Sequence, residues 1–142
     1  MKIKDLMTRQ IVSVSPEEST AVAARLLSRY NIGALPVCTG EGKLRGMITD
    51  RDIVLRCVAA EEDPQTLPIR EIMTRRVISV GGEEPVSAAA ELMAREQIRR
   101  LPVQENGKVV GMVSLADLSR QESTQRESAR ALNEISQNIH HM

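Results

Sequence analysis

The 142-residue chain has no phenylalanine and no tryptophan, and its only tyrosine is Tyr30. Stacking of bases on aromatic side chains, the usual grip on single-stranded nucleic acid, is therefore excluded. A planar ligand would have to be sandwiched by aliphatic side chains and read by backbone groups. Seven methionines supply some of the core volume that aromatics normally fill. Histidine is equally scarce: His140 and His141 stand at the C-terminal end, and two ligands do not complete a coordination shell, so they read as a solvated terminus. The two cysteines, Cys38 and Cys57, form no CxxC pair. That inventory excludes a zinc site or a Cys–His nucleophile within the body. It leaves the cysteines as buried reduced thiols or as a redox pair. There is no charge excess, with 19 basic and 19 acidic residues, which argues against a general nucleic-acid binder. No apolar run approaches bilayer length, and MKIKDLMTRQ lacks the apolar core of a secretory signal. The expectation is a soluble cytoplasmic protein with no membrane or nucleic-acid partner.

What the chain does have is a repeat. Ile3-Lys4-Asp5-Leu6-Met7-Thr8-Arg9 matches Ile69-Arg70-Glu71-Ile72-Met73-Thr74-Arg75 at an offset of 66 residues. At the same offset Glu17-Glu18 meets Glu83-Glu84, Ala23-Ala24 meets Ala89-Ala90, and Leu35-Pro36-Val37 meets Leu101-Pro102-Val103. One residue is then lost in a turn. At offset 65, Gly46-Met47 meets Gly111-Met112 and Asp52 meets Asp117.

Each copy parses as β-α-β-β-α. A short helical turn (Ile3 to Met7; Ile69 to Met73) leads into an alternating strand, Ile11 to Val14 or Val77 to Val80. An amphipathic helix follows. In the first copy it spans Thr20 to Tyr30 behind Ser19 as N-cap, with Val22, Ala23, Leu26, Leu27 and Tyr30 as its apolar stripe. In the second, Pro85 opens the helix and Ala88, Ala89, Leu92 and Met93 make the stripe. Two strands joined by a glycine-containing turn come next, Ala34 to Cys38 with Leu44 to Ile48, and Arg100 to Gln104 with Val109 to Val113. A final helix closes each unit, Asp50 to about Ala60 and Leu115 to about Arg120. The predicted fold class is α/β (α+β), with repeat one at residues 1–60, an acidic, proline-broken linker at 61–68, repeat two at 69–120 and a helical tail at 121–142. Each repeat is too small to hide its own sheet face, so the two should pack together. In the tail, Leu132, Ile135 and Ile139 share one helical face, with Glu122–Arg126 and Arg130–Glu134 as i,i+4 pairs. That face reads either as a docking surface for a partner protein or second copy, or as a frayed polar helix.

The chemistry sits at the last strand-to-helix junction of each copy, Gly46-Met47-Ile48-Thr49-Asp50-Arg51-Asp52 and Gly111-Met112-Val113-Ser114-Leu115-Ala116-Asp117. Thr49-x-x-Asp52 and Ser114-x-x-Asp117 fit a capping box, with Asp in place of the usual Glu. They also fit a nucleotide site. A cap needs no glycine, whereas Gly46 and Gly111 permit close approach of a backbone or a ligand. A helix start favours phosphate, and a carboxylate there can accept hydrogen bonds from ribose hydroxyls. The chain offers no nucleophile–base pair and no metal constellation, so an enzyme is not expected.

Residues 1–120 resemble a tandem pair of cystathionine-β-synthase (CBS) domains, a Bateman module. The resemblance rests on the two junctions together with Ile32-Gly33-Ala34-Leu35-Pro36-Val37 and Ile98-Arg99-Arg100-Leu101-Pro102-Val103. It implies a pseudo-twofold arrangement with two clefts for AMP, ADP, ATP or another adenosyl ligand, and no required cofactor. One cleft would combine Thr49 and Asp52 with Val77, Ile78, Arg99 and Arg100. The other would combine Ser114 and Asp117 with Ile11, Val12, Gly33 and Ala34. Arg51 could serve either. Only the first offers two arginines to phosphates, so the Asp52 cleft is expected to bind more tightly. The resemblance further implies a homodimer and a regulatory role. The competing readings are a structural or interaction module whose motifs only cap helices, and a redox responder through Cys38 and Cys57.

Overall fold

The computed structural model describes residues 1–120 and 130–136. The chain is mixed α+β and forms two compact units that do not follow the order of the repeats. One is Val12–Val77; the other combines Met1–Ile11 with the described residues from Ile78 onward.

The Val12–Val77 unit contains α1 (Thr20–Tyr30), β1 (Ala34–Cys38), β2 (Leu44–Thr49) and α2 (Asp50–Ile53). A π-helical turn, Val54–Val58, continues α2. β1 and β2 pair antiparallel, Leu35 opposite Ile48. Their inward residues Leu35, Val37 and Ile48 pack with Ala23, Leu27, Cys57, Ile69 and Met73. The α1 stripe is as expected except at Tyr30, which is 50% exposed. It stands at the last turn of the helix, just before the left-handed Asn31.

The linker does not hang free. The Thr20 amide and hydroxyl both donate to the Leu67 carbonyl, at 2.8 and 2.9 Å, and the Ala21 amide donates to Pro64. These bonds satisfy the fully buried Thr20. The turn at Ile69 also belongs here: Ile69 and Arg70 donate to the carbonyls of Glu18 and Pro16, both at 2.9 Å.

The other unit carries β3 (Val80–Gly81), α3 (Val86–Glu96), β4 (Arg100–Glu105), β5 (Lys108–Ser114) and α4 (Leu115–Ser119). Its sheet order is β3-β4-β5. Asn106 and Gly107, both at positive φ, close the β4–β5 turn. Pro85 is the N-cap of α3 rather than its first helical residue. The turn at Ile3 packs in this unit, with Ile3 donating to Glu84 and Lys4 to Gly82. A final helical segment, α5 (residues 130–136), buries Ala131 and Ile135, and Ala131 joins the same core as Ala90, Ala94 and Leu118. Leu132 is exposed at 44% while Ile135 is buried, so the expected tail stripe turns inward at Ile135 but through Ala131 in place of Leu132. Glu122, Arg126, Ile139, His140 and His141 lie outside the described residues.

The two leading strands are much shorter than the alternation predicts. Val77 to Val80 reduces to the two-residue β3, and Ile11 to Val14 to a single parallel bridge of Val14 with Val37. Val14 donates to Pro36 and Cys38 donates back to Val14. The next bond of that ladder would come from the amide of Pro36 to Val12, and proline has no N–H. Pro102 occupies the corresponding place in β4, ahead of the Val80–Val103 pair. The Leu-Pro-Val repeat thus ends the pairing that the apolar alternation would extend.

Candidate functional site

Each junction forms where a buried strand hands over directly to a short helix. Thr49 is extended at the end of β2 and caps α2. Its hydroxyl accepts from the Asp52 amide at 3.0 Å, and its own amide donates to Asp52 Oδ2 at 3.0 Å. Ser114 and Asp117 repeat the exchange at 3.1 and 2.8 Å. Both predicted capping boxes therefore form. Among the described residues Asp52 and Asp117 are the buried charged side chains, each 7% exposed. Burial of a carboxylate requires partners, and the two units supply different ones. The Thr74 hydroxyl lies 3.3 Å from Asp52 Oδ1, while the Arg56 guanidinium stands off at 3.9 Å and donates to the Ile72 carbonyl. Asp117 Oδ1 instead takes Nη2 of Arg120.

The glycines answer to the chain's own neighbouring segments. A Cβ on Gly46 would meet the Thr74 carbonyl oxygen at 2.5 Å, and one on Gly111 would meet Met7 Sδ at 2.6 Å and the Thr8 oxygen at 3.0 Å. In both places a Met-Thr segment bridges β2 or β5: Met47 and Thr74 exchange bonds at 2.9 and 2.8 Å, and Thr8 and Met112 at 2.8 and 3.0 Å. The close approach that each glycine permits is made by the chain's own Met-Thr segment, by the Thr74 backbone at Gly46 and first by the Met7 side chain at Gly111.

The residues preceding β1 and β4 are tied to the helix starts of their own units. Asp50 donates to the Gly33 carbonyl at 3.1 Å, and Leu115 to the Arg99 carbonyl at 2.8 Å. Thr49, Arg51, Asp52, Val12, Gly33, Ala34 and Val77 all lie in the Val12–Val77 unit; Ile11, Ile78, Arg99, Arg100, Ser114 and Asp117 lie in the other. Arg51, Arg99 and Arg100 are exposed, as is Val77, while Ile11, Val12, Gly33, Ala34 and Ile78 are half-buried. Sequence reasoning overlooked Thr74, Arg56 and Arg120. The recurrence of Met-Thr at residues 7–8 and 73–74 was the available sign of Thr74.

Cys38 and Cys57 are free and buried. Burial pushes both thiols up, helped at Cys57 by Glu62 and Asp63. Raised thiols are poor thiolates and slow to react. Among the described residues no three His, Cys, Asp or Glu side chains come together as a metal site, and no helix is long and apolar enough to cross a membrane.

The CBS domain model matches the chain twice, at residues 3–58 and 69–123. The CBS domain-containing protein YhcV of Bacillus subtilis is 42% identical over 139 residues, covering 97% of this chain and 98% of its own. Among solved structures, Hypoxic Response Protein I with two coordinated zinc ions aligns with a TM-score of 0.79 at 33% identity, over 85% of this chain and 98% of that one. The CBS domain pair of protein MJ0100, in complex with 5'-methylthioadenosine and S-adenosyl-L-methionine, aligns with a TM-score of 0.74 at 35% identity, over 84% and 94%.

Proposed function

The chain belongs to the CBS domain family, and from that premise we propose that it is a non-catalytic regulatory module that binds an adenosyl ligand and signals occupancy to a partner. The observation that carries the reading is the burial of Asp52 and Asp117, each 7% exposed, at two equivalent strand-to-helix junctions. Support for the ligand class comes from the MJ0100 domain pair, whose complex holds two adenosyl compounds.

On this reading Thr49, Arg51, Asp52, Val77, Ile78, Arg99 and Arg100 serve one ligand, and Ser114, Asp117, Ile11, Val12, Gly33 and Ala34 serve another. The carboxylates accept ribose hydroxyls and the exposed arginines meet phosphates. AMP, ADP and ATP are the proposed ligands. The protein acts in the cytoplasm as a homodimer, with the tail as a further docking element for a protein partner. The exposed Val54, Leu55 and Val58 support the dimer.

A second reading has its own observation. Both acids close capping boxes, and both glycines are used by the chain's own Met-Thr segments. A purely structural module would need nothing more. A thermal-shift screen with AMP, ADP, ATP, S-adenosylmethionine and NADH separates the two, because a ligand of the folded state raises the melting temperature with the logarithm of its concentration over its Kd. Stabilisation by an adenosyl compound is the expected result. No shift with any of the five at millimolar concentration would leave the structural reading standing.

A further inference from the structure

The carboxylate of Asp117 is engaged on both oxygens. Oδ2 accepts the Ser114 amide at 2.8 Å, and Oδ1 pairs with Nη2 of Arg120. The Asp117 side chain is 9% exposed and that of Arg120 69%, so a solvent-exposed guanidinium is paired with a largely buried carboxylate. Asp52 is held differently. Its nearest guanidinium, Arg56, is 3.9 Å away and bonded to Ile72, and its close side-chain partner is the neutral hydroxyl of Thr74 at 3.3 Å. At the repeat offset of 65, Arg120 corresponds to Leu55. The arginine latch thus belongs to one copy of the motif alone.

We propose that Arg120 is an intramolecular competitor for Asp117. This rests on the reading that Asp117 accepts hydroxyls of an adenosyl ligand. Such a ligand must displace the guanidinium before it can use Oδ1, so the Asp117 site is self-inhibited and the Asp52 site is not. The same exchange gives the site an output. Arg120 is the C-cap of α4, whose Leu118 shares a core with Ala131 of α5, so displacing its guanidinium acts at the end of a helix that shares its core with α5. A ligand that binds only the unlatched state shifts that equilibrium by its differential affinity.

Calorimetric titration of AMP into the full-length chain tests this, using Asp52→Ala to isolate the Asp117 site. Arg120→Gln in that background should tighten AMP roughly two- to fivefold, the affinity equivalent of releasing an exposed ion pair. Arg120→Lys, which keeps a cation, should stay near the Asp52→Ala value. If Asp52→Ala alone binds nothing measurable, the Arg120→Gln double variant should regain a measurable site. An unchanged or weaker affinity in the double variant overturns the latch and leaves the nucleotide reading intact. Absence of AMP binding to the unsubstituted chain overturns both.

Discussion

A methyl group placed on Gly46 would lie 2.5 Å from the carbonyl oxygen of Thr74. That oxygen is fixed, because it accepts the Met47 amide at 2.9 Å while the Thr74 amide returns a bond at 2.8 Å. Gly46→Ala must therefore break the bridge or push β2 off Met73, at a cost of about 1–3 kcal/mol for overpacking a closed contact. Gly111 faces a softer obstacle. Its nearest neighbour is the Met7 sulfur at 2.6 Å, with the Thr8 oxygen further off at 3.0 Å, and a methionine can change rotamer. Denaturant unfolding should rank the variants Gly46→Ala below Gly111→Ala below the unsubstituted chain. Equal midpoints for all three would show that the junction does not need its glycines.

The repeat and the α1, β1, β2, β4 and β5 segments were legible because each is a local pattern: helical spacing in Thr20–Tyr30, and apolar strands bounded by glycine turns. The capping boxes were legible for the same reason, since Thr49 and Asp52 are three residues apart. Long-range assignments were not. Nothing local in Ile3–Thr8 says that it packs beside Met112 in the unit formed largely from the second repeat. The strand ending at Val14 was overextended because apolar alternation reports a face. Whether each rung has a donor depends on Pro36, a residue of the neighbouring strand. Arg120 and Thr74 escaped notice because their value lies in which carboxylate they meet.

The two acids should be separable by ligand binding. Asp52→Ala is expected to weaken AMP and ATP more than Asp117→Ala does, since Asp117 is already paired with Arg120 and the proposed function gives Arg99 and Arg100 to the ligand of Asp52. Each substitution also removes half of a capping box, so a stability loss of about 1 kcal/mol should accompany both. Titrations run well below the melting range keep the effects apart. Abolition of binding by Asp117→Ala with Asp52→Ala unaffected would reverse the assignment.

Glu83 joins the leading turn to the start of α3 by bonds from Lys2 at 2.6 Å and Lys4 at 2.7 Å. Those two hydrogen bonds, and then the lysine charges, lower its carboxyl to about 2. A carboxylate lowered on folding stabilises the fold above its unfolded value, and that contribution is lost as pH falls toward 2. The same contact raises Lys4, whose share is present at neutral pH and lost as pH rises through its folded value. Glu83→Gln should therefore melt below the unsubstituted chain at pH 7, and the two should converge near pH 2. The groups are open to solvent, so the gap at pH 7 should shrink with added salt. A gap that is constant from pH 7 to pH 2 would assign the effect to packing.

The π-helical turn after α2 predicts where a second copy sits. Its i→i+5 bond, Ala59 amide to Val54 carbonyl at 2.8 Å, closes a wider turn than an α-helix would. Val54 is 55% exposed, Leu55 52% and Val58 65%, while Cys57 between them is fully buried. Three exposed aliphatic side chains on one helical turn form a patch that a lone chain has reason to cover. On the dimer reading this patch lies in the interface, where a charge buried without a partner is strongly unfavourable. Val58→Glu should then convert a species of twice 15.7 kDa into one of 15.7 kDa in light scattering. The monomer should keep its far-ultraviolet circular dichroism, because Val58 contributes little to the core of its own unit. A dimer that persists in Val54→Glu/Val58→Glu would move the interface elsewhere. A monomeric unsubstituted chain at micromolar concentration would remove the dimer itself.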